Sequence, residues 1–457
     1  MLKLEANFSE SDCLRIGAFL MATKEMPENA AKARDFFLAA KQINPKSVDA
    51  LANIGASFIN EKMPELALDP LREGLKLDPN NAALNLNYGV GTQVCLNLED
   101  GKDHLLKALE LNPPFPFEVF AGLAMNAQYR GDVKEAISYY EMALAANPGN
   151  PIGEQSLAMM LLLDRQWDRG LPLYEARLKT LNPWIPIPVP HYEAVPGATL
   201  GGKRVIIVGE QGLGDAIQFA RYFKALKSLH PDTAWIYWCD DKIADYARLF
   251  GIPVTCPALG QVPAYDVQFP LMSVMLYLHE RGMDLFVPED NPFPPVPGPH
   301  NRVGYCWRGN PNHSHDRFRS MPFMVMREVM DWGIFDQPSN VCLQADATED
   351  EKASFNYCPP LTSWMDTVGV IQRLDAVVTV DTAVAHLAGT LGIPCYMLMP
   401  LIVDWRWGMD VETTPWYKSM RIFRQAKLGD WAPVVEKVKD ALRKKEYEGD
   451  RLIACGR

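Results

Sequence analysis

The chain has 457 residues, 48% of them hydrophobic and 22% charged, and a net charge of −11. That length exceeds one ordinary core and calls for two or three domains. The acidic balance, with a pI near 5.3, excludes a nucleic-acid scaffold, since phosphate binding needs a basic surface, but it leaves room for a locally positive pocket. Nine cysteines scattered from Cys13 to Cys455 include no C-x-x-C pair, a pattern that suits a reducing cytosol and offers no disulfide or metal framework. The opening MLKLEANFSESD has no charged stretch followed by an apolar one, and no apolar run approaches ~20 residues. Neither a signal peptide nor a membrane span is expected, and the expected location is cytoplasmic.

Residues up to about 178 carry an internal period: Pro45, Pro79 and Pro113 are 34 residues apart, and Pro148 follows after 35. Small and large residues precede each proline at one spacing, as in Ala33, Phe37, Ala40 and in Gly101, Leu105, Ala108. Leu51, Gly55 and Phe58, or Asn85, Tyr88 and Gly89, mark the first helix of a unit. A period of 34 with small residues at helix crossings resembles the tetratricopeptide repeat. A last unit, Trp167, Gly170, Tyr174 and Arg177, keeps the spacing without the proline. Such units stack into a solenoid with a concave surface. The array either holds a partner peptide there, supports the second half, or mediates self-association into a homo-oligomer.

Thr180–Gly202, with Pro183, Pro186, Pro188, Pro190 and Pro196, reads as a stiff linker. Strands and helices then alternate. Arg204–Val208 is expected as a strand, Asp215–Leu229 as a helix, Ala234–Trp238 as a strand, Lys242–Phe250 as a helix and Val254–Thr255 as a short strand. A second proline-rich stretch, Phe286–His300, precedes another strand, Arg302–Trp307. Strand Asn340–Leu343, helix Trp364–Leu374, strand Val377–Val380, a helix from Ala383 and strand Cys395–Met399 follow. This alternation predicts parallel sheets with crossover helices, in two Rossmann-like halves around a cleft.

Three loops carry the chemistry. Gly209–Asp215, GEQGLGD, follows the first strand and opens a helix. A dinucleotide fingerprint would need a third glycine where Ile217 stands. Asp215 is then either a general base facing the cleft or a plain helix cap. Trp307-Arg308-Gly309-Asn310 ends a strand, and the loop behind it holds His313, His315, Asp316, Arg317 and Arg319. Its arginines suit a phosphate, its His and Asp residues suggest a metal without a second ligand cluster, and a solvated loop is the plain alternative. At Asp381-Thr382 a strand meets a helix. Asp381 or Thr382 is expected as the N-cap, with free amides and a positive dipole end beside Thr382 and Ala383, and with His386 facing the same anion. Asp404-Trp405-Arg406-Trp407 could stack a base or sugar, or pack the halves together.

GEQGLGDAIQFARY, VGYCWRGNPNHSHDRFRS, VDTAVAHLAG and DWRWG…TPWY…RIFRQ occur in this order. Together they resemble the heptosyltransferase family, and more closely its subgroup preceded by tetratricopeptide repeats. The resemblance implies an α solenoid (1–180) followed by a GT-B fold. Its Rossmann-like acceptor domain would span 181–298 and its donor domain 299–457. It implies metal-independent transfer, with inversion, from a nucleotide-diphosphate sugar to a protein or envelope glycan, with no cofactor. Asp215 matches the family's base, with Gln211, Gly212 and Gly214 on the acceptor-side loop. Asp381, Thr382, Ala383 and His386 match the donor-diphosphate turn, with Ala383 where glycine is usual. Arg317 or Arg319 stands in for the family's phosphate-contacting lysine. Trp307, Asn310, Gln344, Asp404, Trp405 and Arg406 complete the implied donor side. A catalytically inactive binding or scaffold protein is the alternative.

Overall fold

The computed structural model describes residues 8–23, 29–180, 200–259, 262–287, 291–297, 300–313, 316–332, 338–409 and 411–444. Most of the proline-rich linker, part of the second proline-rich stretch and His315 lie outside the described residues. Two compact units divide at Leu161/Leu162, ahead of the boundary at 180 expected for the array.

The first unit is a run of paired helices: α1 (Glu10–Ala22), α2 (Asn29–Ile43), α3 (Val48–Asn60), α4 (Pro64–Leu77), α5 (Ala82–Val94), α6 (Leu98–Glu110), α7 (Pro116–Tyr129) and α8 (Val133–Ala146). α9 (Pro151–Leu163) runs across the division. The small residues sit where helices cross. A Cβ on Gly55 of α3 would stand 2.4 Å from Leu71 of α4, and one on Gly89 of α5 would stand 2.8 Å from Leu105 of α6. The turn closing α3 recurs after α5 and α7. Lys62, Leu96 and Gly131 all adopt positive φ (61°, 68° and 79°). The residue after each donates to a carbonyl five positions back, as Met63 does to Phe58 (2.9 Å) and Asp132 to Ala127 (2.9 Å). This is a Schellman-type stop, made at two of three positions without glycine.

The second unit opens with α10 (Trp167–Tyr174) and contains two sheets. The first holds β1 (Arg204–Val208), β2 (Ala234–Trp238), β3 (Val254–Thr255) and β4 (Val267–Pro270), all parallel, in the order β3-β2-β1-β4. The second holds β5 (Arg302–Cys306), β6 (Ser339–Cys342), β7 (Ala376–Val380), β8 (Cys395–Met399), β9 (Thr413–Thr414) and β10 (Tyr417–Arg424), in the order β6-β5-β7-β8-β10-β9. Every pairing there is parallel except β9 with β10. β7 and β8 are buried along their whole length, as continuous apolar strands covered on both faces must be.

The helical segment expected over 215–229 starts two residues earlier, as α11 (Leu213–Phe219), and is followed by a 3-10 turn, Ala220–Tyr222, and a second helix, Phe223–Leu229. The segment expected over 242–250 is likewise broken into short turns. β4, β9, β10 and the helix Ala432–Arg443 were not among the elements expected from the sequence. β4 and β9 are short edge strands with a weak pattern, whereas β10 and the helix, whose Val434, Val435, Val438, Ala441 and Leu442 make a regular apolar face, were passed over. Among the described residues no helix is long and apolar enough to cross a membrane.

Candidate functional site

The loops singled out in the sequence leave the carboxyl ends of β1, β5, β7 and β8, where open parallel sheets place ligands. After β1, the Gly209 amide donates to the Trp238 carbonyl at 2.7 Å, so the backbone passes close to β2. Gln211 then takes φ of 62°, a left-handed conformation unusual outside glycine. Gly212 precedes α11, and Asp215 reaches back to accept the Gly212 amide at 2.8 Å. Its other carboxylate oxygen accepts from the Arg406 guanidinium. Asp215 is thus a helix cap and a half-buried cleft residue at once. Burial pushes its carboxyl up, against the pull of Arg406 and the Gly212 amide.

After β7 comes α12 (Ala383–Thr390), with Thr382 at the N-cap position in extended backbone. Its side chain makes no cap. The hydroxyl turns instead to Thr379 Oγ1 (3.0 Å) and lies 3.8 Å from Cys306 Sγ. The contrast with helix Trp364–Ile371, closed by a full capping box from Ser363 and Asp366, is direct. The first turn of α12 therefore keeps amides and a positive dipole end that no side-chain cap occupies. Ala383 is in that turn without positive φ, so it needs no glycine. Asp381 just before it is pushed up to about 6, chiefly by burial and the nearby Asp404 carboxylate, with Arg319 pulling the other way.

His386, one turn into α12, is buried. Its Nδ1 shares a hydrogen bond with the Tyr417 hydroxyl (2.9 Å), and its ring lies 5.2 Å from that of Trp407. On its open edge it meets the other half, because a Cβ on Gly214 would fall 2.8 Å from His386 Cδ2. Only glycine allows that approach. Burial and the surrounding arginines push the imidazole well down, so it is neutral.

Arg406 joins these parts. Nη1 donates to Asp404 (2.8 Å), Nη2 to Asp215, and the guanidinium lies 4.7 Å from the centre of the Trp405 ring. One buried cation from the loop after β8 therefore holds a carboxylate of its own loop and the carboxylate of α11.

Around β5 a cavity of about 570 Å3 opens, lined by Arg308, Gly309, Arg317, Phe323, Asp346 and Trp431 among others. Arg319 lies flat over Gly309, where a Cβ would collide with its guanidinium, and Nη2 donates to Asp316 (3.2 Å). Gln344 turns inward. It accepts the Trp307 and Arg308 amides (3.1 and 3.0 Å) and donates to Asp346 (2.6 Å), pinning the loop. Among the described residues no group of three or more His, Cys, Asp or Glu stands in a metal-ligating arrangement.

No family model matches the chain. It is 26% identical over 470 residues to Protein FlbA of Caulobacter vibrioides, across 92% of this chain and 76% of that protein. It is 28% identical over 148 residues to the type IV pilus assembly protein PilF of Pseudomonas aeruginosa, across 32% of this chain and 59% of that one. Among solved structures, E. coli ADP-heptose LPS heptosyltransferase II is matched over 53% of this chain and 99% of its own, at 13% identity and a TM-score of 0.38. The N-terminal helices are tetratricopeptide-like repeats. A solenoid of such repeats followed by an α/β region with one parallel and one largely parallel sheet is the architecture expected from the sequence.

Of the residues singled out in the sequence, Asp215, Gly212, Gly214, Asp381, Thr382, Ala383, His386, Asp404 and Arg406 come together, with Arg319 at their edge. Gln211 points away, its side chain donating to the Tyr174 hydroxyl (3.0 Å). Trp307 is fully buried and stacks on Phe355 (5.7 Å, 14°), and Trp405 packs edge-on against Trp167, Tyr174 and Trp416. Asn310 closes a turn onto the Asn312 amide (3.0 Å), and Arg317 lies over Phe318 (4.4 Å). Sequence reasoning read Arg177 only as a position of the last repeat unit and Tyr417 only as an aromatic, beside Trp416, that could stack a base or sugar, and it passed over Arg221. Arg221 lies in the quoted motif GEQGLGDAIQFARY, where only a search for buried cations and their ring partners would have raised it.

Proposed function

We propose that the chain is an inverting, metal-independent glycosyltransferase that moves a sugar from a nucleotide-diphosphate sugar to a hydroxyl of a protein or envelope glycan, with the repeats docking the acceptor or a partner. The observation that carries the reading is the juxtaposition of Asp215 with the uncapped start of α12, a carboxylate and an anion-binding helix end brought to one place by the Gly214–His386 contact. The order of the four motifs along the chain supports it. In the mechanism, Asp215 accepts the acceptor proton as the hydroxyl oxygen attacks the anomeric carbon. The bond from that carbon to the diphosphate oxygen breaks, and the departing nucleoside diphosphate takes the electron pair. The amides at Ala383 and Val384, the helix dipole and Arg319 stabilise its charge. Raising the Asp215 carboxyl by burial brings a base closer to its working pH.

Asp215→Asn is expected to leave nucleotide binding by calorimetry near normal while transfer, or slow donor hydrolysis, falls by about 100-fold or more. Substantial residual turnover would remove Asp215 as the base. A second reading, a binding module without turnover, is favoured by one observation: both carboxylate oxygens of Asp215 are already engaged, by Arg406 and by the Gly212 amide. Incubation with a panel of nucleotide sugars separates the two, since many transferases slowly hydrolyse their donor, and failure across the panel with no nucleotide bound favours the binding module.

A further inference from the structure

The chain at the end of α10, inside the second unit, does more than lead toward the first sheet. Arg177 is fully buried, and its Nε and Nη2 donate to the two carboxylate oxygens of Glu210, each at 2.9 Å. Nη2 also reaches Ser273 Oγ (2.9 Å), and Nη1 donates to Glu175 (2.5 Å) and to the Tyr174 carbonyl (3.2 Å). Glu210 takes a further hydrogen bond from the Met272 amide (2.8 Å). A fork held in this way is rigid, because the guanidinium geometry matches a carboxylate in two places. Three residues before Arg177, the Tyr174 hydroxyl accepts from Gln211, the loop residue held at positive φ. The ring of Tyr174 also lies 5.9 Å from that of Trp405, the neighbour of Arg406.

One turn of chain therefore touches both loops that set Asp215. Glu210 and Gln211 lead into Gly212, whose amide binds one Asp215 oxygen, and Trp405 adjoins Arg406, which binds the other. We infer that Tyr174 and Arg177 are positioning residues that hold the Glu210–Gly212 loop and the Trp405–Arg406 turn in the arrangement that aims Asp215. A buried ion pair serving stability alone would need no neighbouring hydroxyl on the next loop residue, yet Arg177 holds Glu210 while Tyr174 holds Gln211, whose backbone is at positive φ. The catalytic half of this inference rests on Asp215 being the base.

The test uses the full chain and two variants, Tyr174→Phe, which removes one hydroxyl, and Arg177→Lys, which keeps the charge but loses the fork. Amide exchange over residues 209–216 is expected to speed up about tenfold in Tyr174→Phe, with an unchanged melting temperature, and further in Arg177→Lys. With a hydrolysable nucleotide-diphosphate sugar, kcat is expected to fall about tenfold at a donor KM within about twofold of wild type, with the acidic limb of the pH profile displaced. Unchanged loop exchange in both variants overturns the positioning role whatever the activity. Faster exchange with unchanged kcat and pH profile overturns its bearing on catalysis. A wild type that turns over no donor overturns the transferase reading, and the exchange measurement still decides whether the clasp holds the loop.

Discussion

The two units put charge in opposite places. In the repeat array, ion pairs such as Lys41–Glu73 and Arg72–Asp69 lie on the outside, where such pairs contribute little, and the interior is a matter of shape, with Leu71 seated on Gly55, Leu84 on Gly74 and Leu105 on Gly89. In the α/β unit, Arg177 and Arg406 are buried, each between two carboxylates. Desolvating such groups is costly, and apolar side chains of similar size would serve stability equally well or better. A chain that packs about a third of its length by shape and then buries ionic clusters in the loops after β1 and β8 is keeping those clusters for something other than stability. The difference teaches where to look for chemistry: at residues that break the packing rule obeyed elsewhere in the same molecule.

The sharpest way to break this contrast is to remove a buried cation. Arg406→Met leaves Asp215 and Asp404 without their partner and is expected to cost about 3–5 kcal/mol in denaturant unfolding of the α/β unit. The double variant with Asp215→Asn should recover part of that loss. A single variant as stable as wild type would show that the cluster is solvated and that the contrast is false.

A smaller effect is expected from pH. Since the Asp381 carboxyl is pushed up to about 6 in the folded protein, the native state holds its proton to higher pH than the unfolded chain does. Stability contributed by the protonated form is present below the unfolded value near 3.8 and is lost as pH rises through about 6. Asp381→Asn should therefore be more stable than wild type by about 1–3 kcal/mol near pH 7.5, and the gap should close toward pH 4. A gap that is independent of pH would dismiss the buried carboxyl as its cause.

The smallest change tests the array. A Cβ on Gly55 would press into Leu71 at 2.4 Å, so Gly55→Ala is expected to destabilise. Overpacking of about 1–3 kcal/mol is offset by about 1 kcal/mol of better helix propensity, for a net loss of up to about 2 kcal/mol in thermal melts followed by circular dichroism. A raised melting temperature would mean that the crossing is loose and that shape does not hold the repeats.

Much of this organisation was legible in the residues themselves. The 34-residue period, the small positions before each proline, and strands such as Arg204–Val208 and Cys395–Met399 follow from local pattern, because turn geometry and periodicity act within a few residues. The same holds for the loops at Gly209–Asp215 and Asp381–Ala383, where a strand ends and a helix begins. Thr382 shows the limit. Its type and place predict a side-chain cap, yet its hydroxyl bonds to Thr379 and leaves the helix start open, a choice set by what packs around it.

The sequence alone thus determined the kind of each part, the repeats, the alternating strands and helices, and the loops that carry Asp215, Asp381 and His386. Tertiary structure decided the partners. Arg406 meets Asp215 across 191 residues of chain, Arg177 meets Glu210 across 33, and His386 comes to rest on Gly214 of the other half. The physical reason is range: propensity and periodicity are local, whereas burial, which sets both the strength of an ion pair and the state of a buried carboxyl, exists only once distant segments have closed over it.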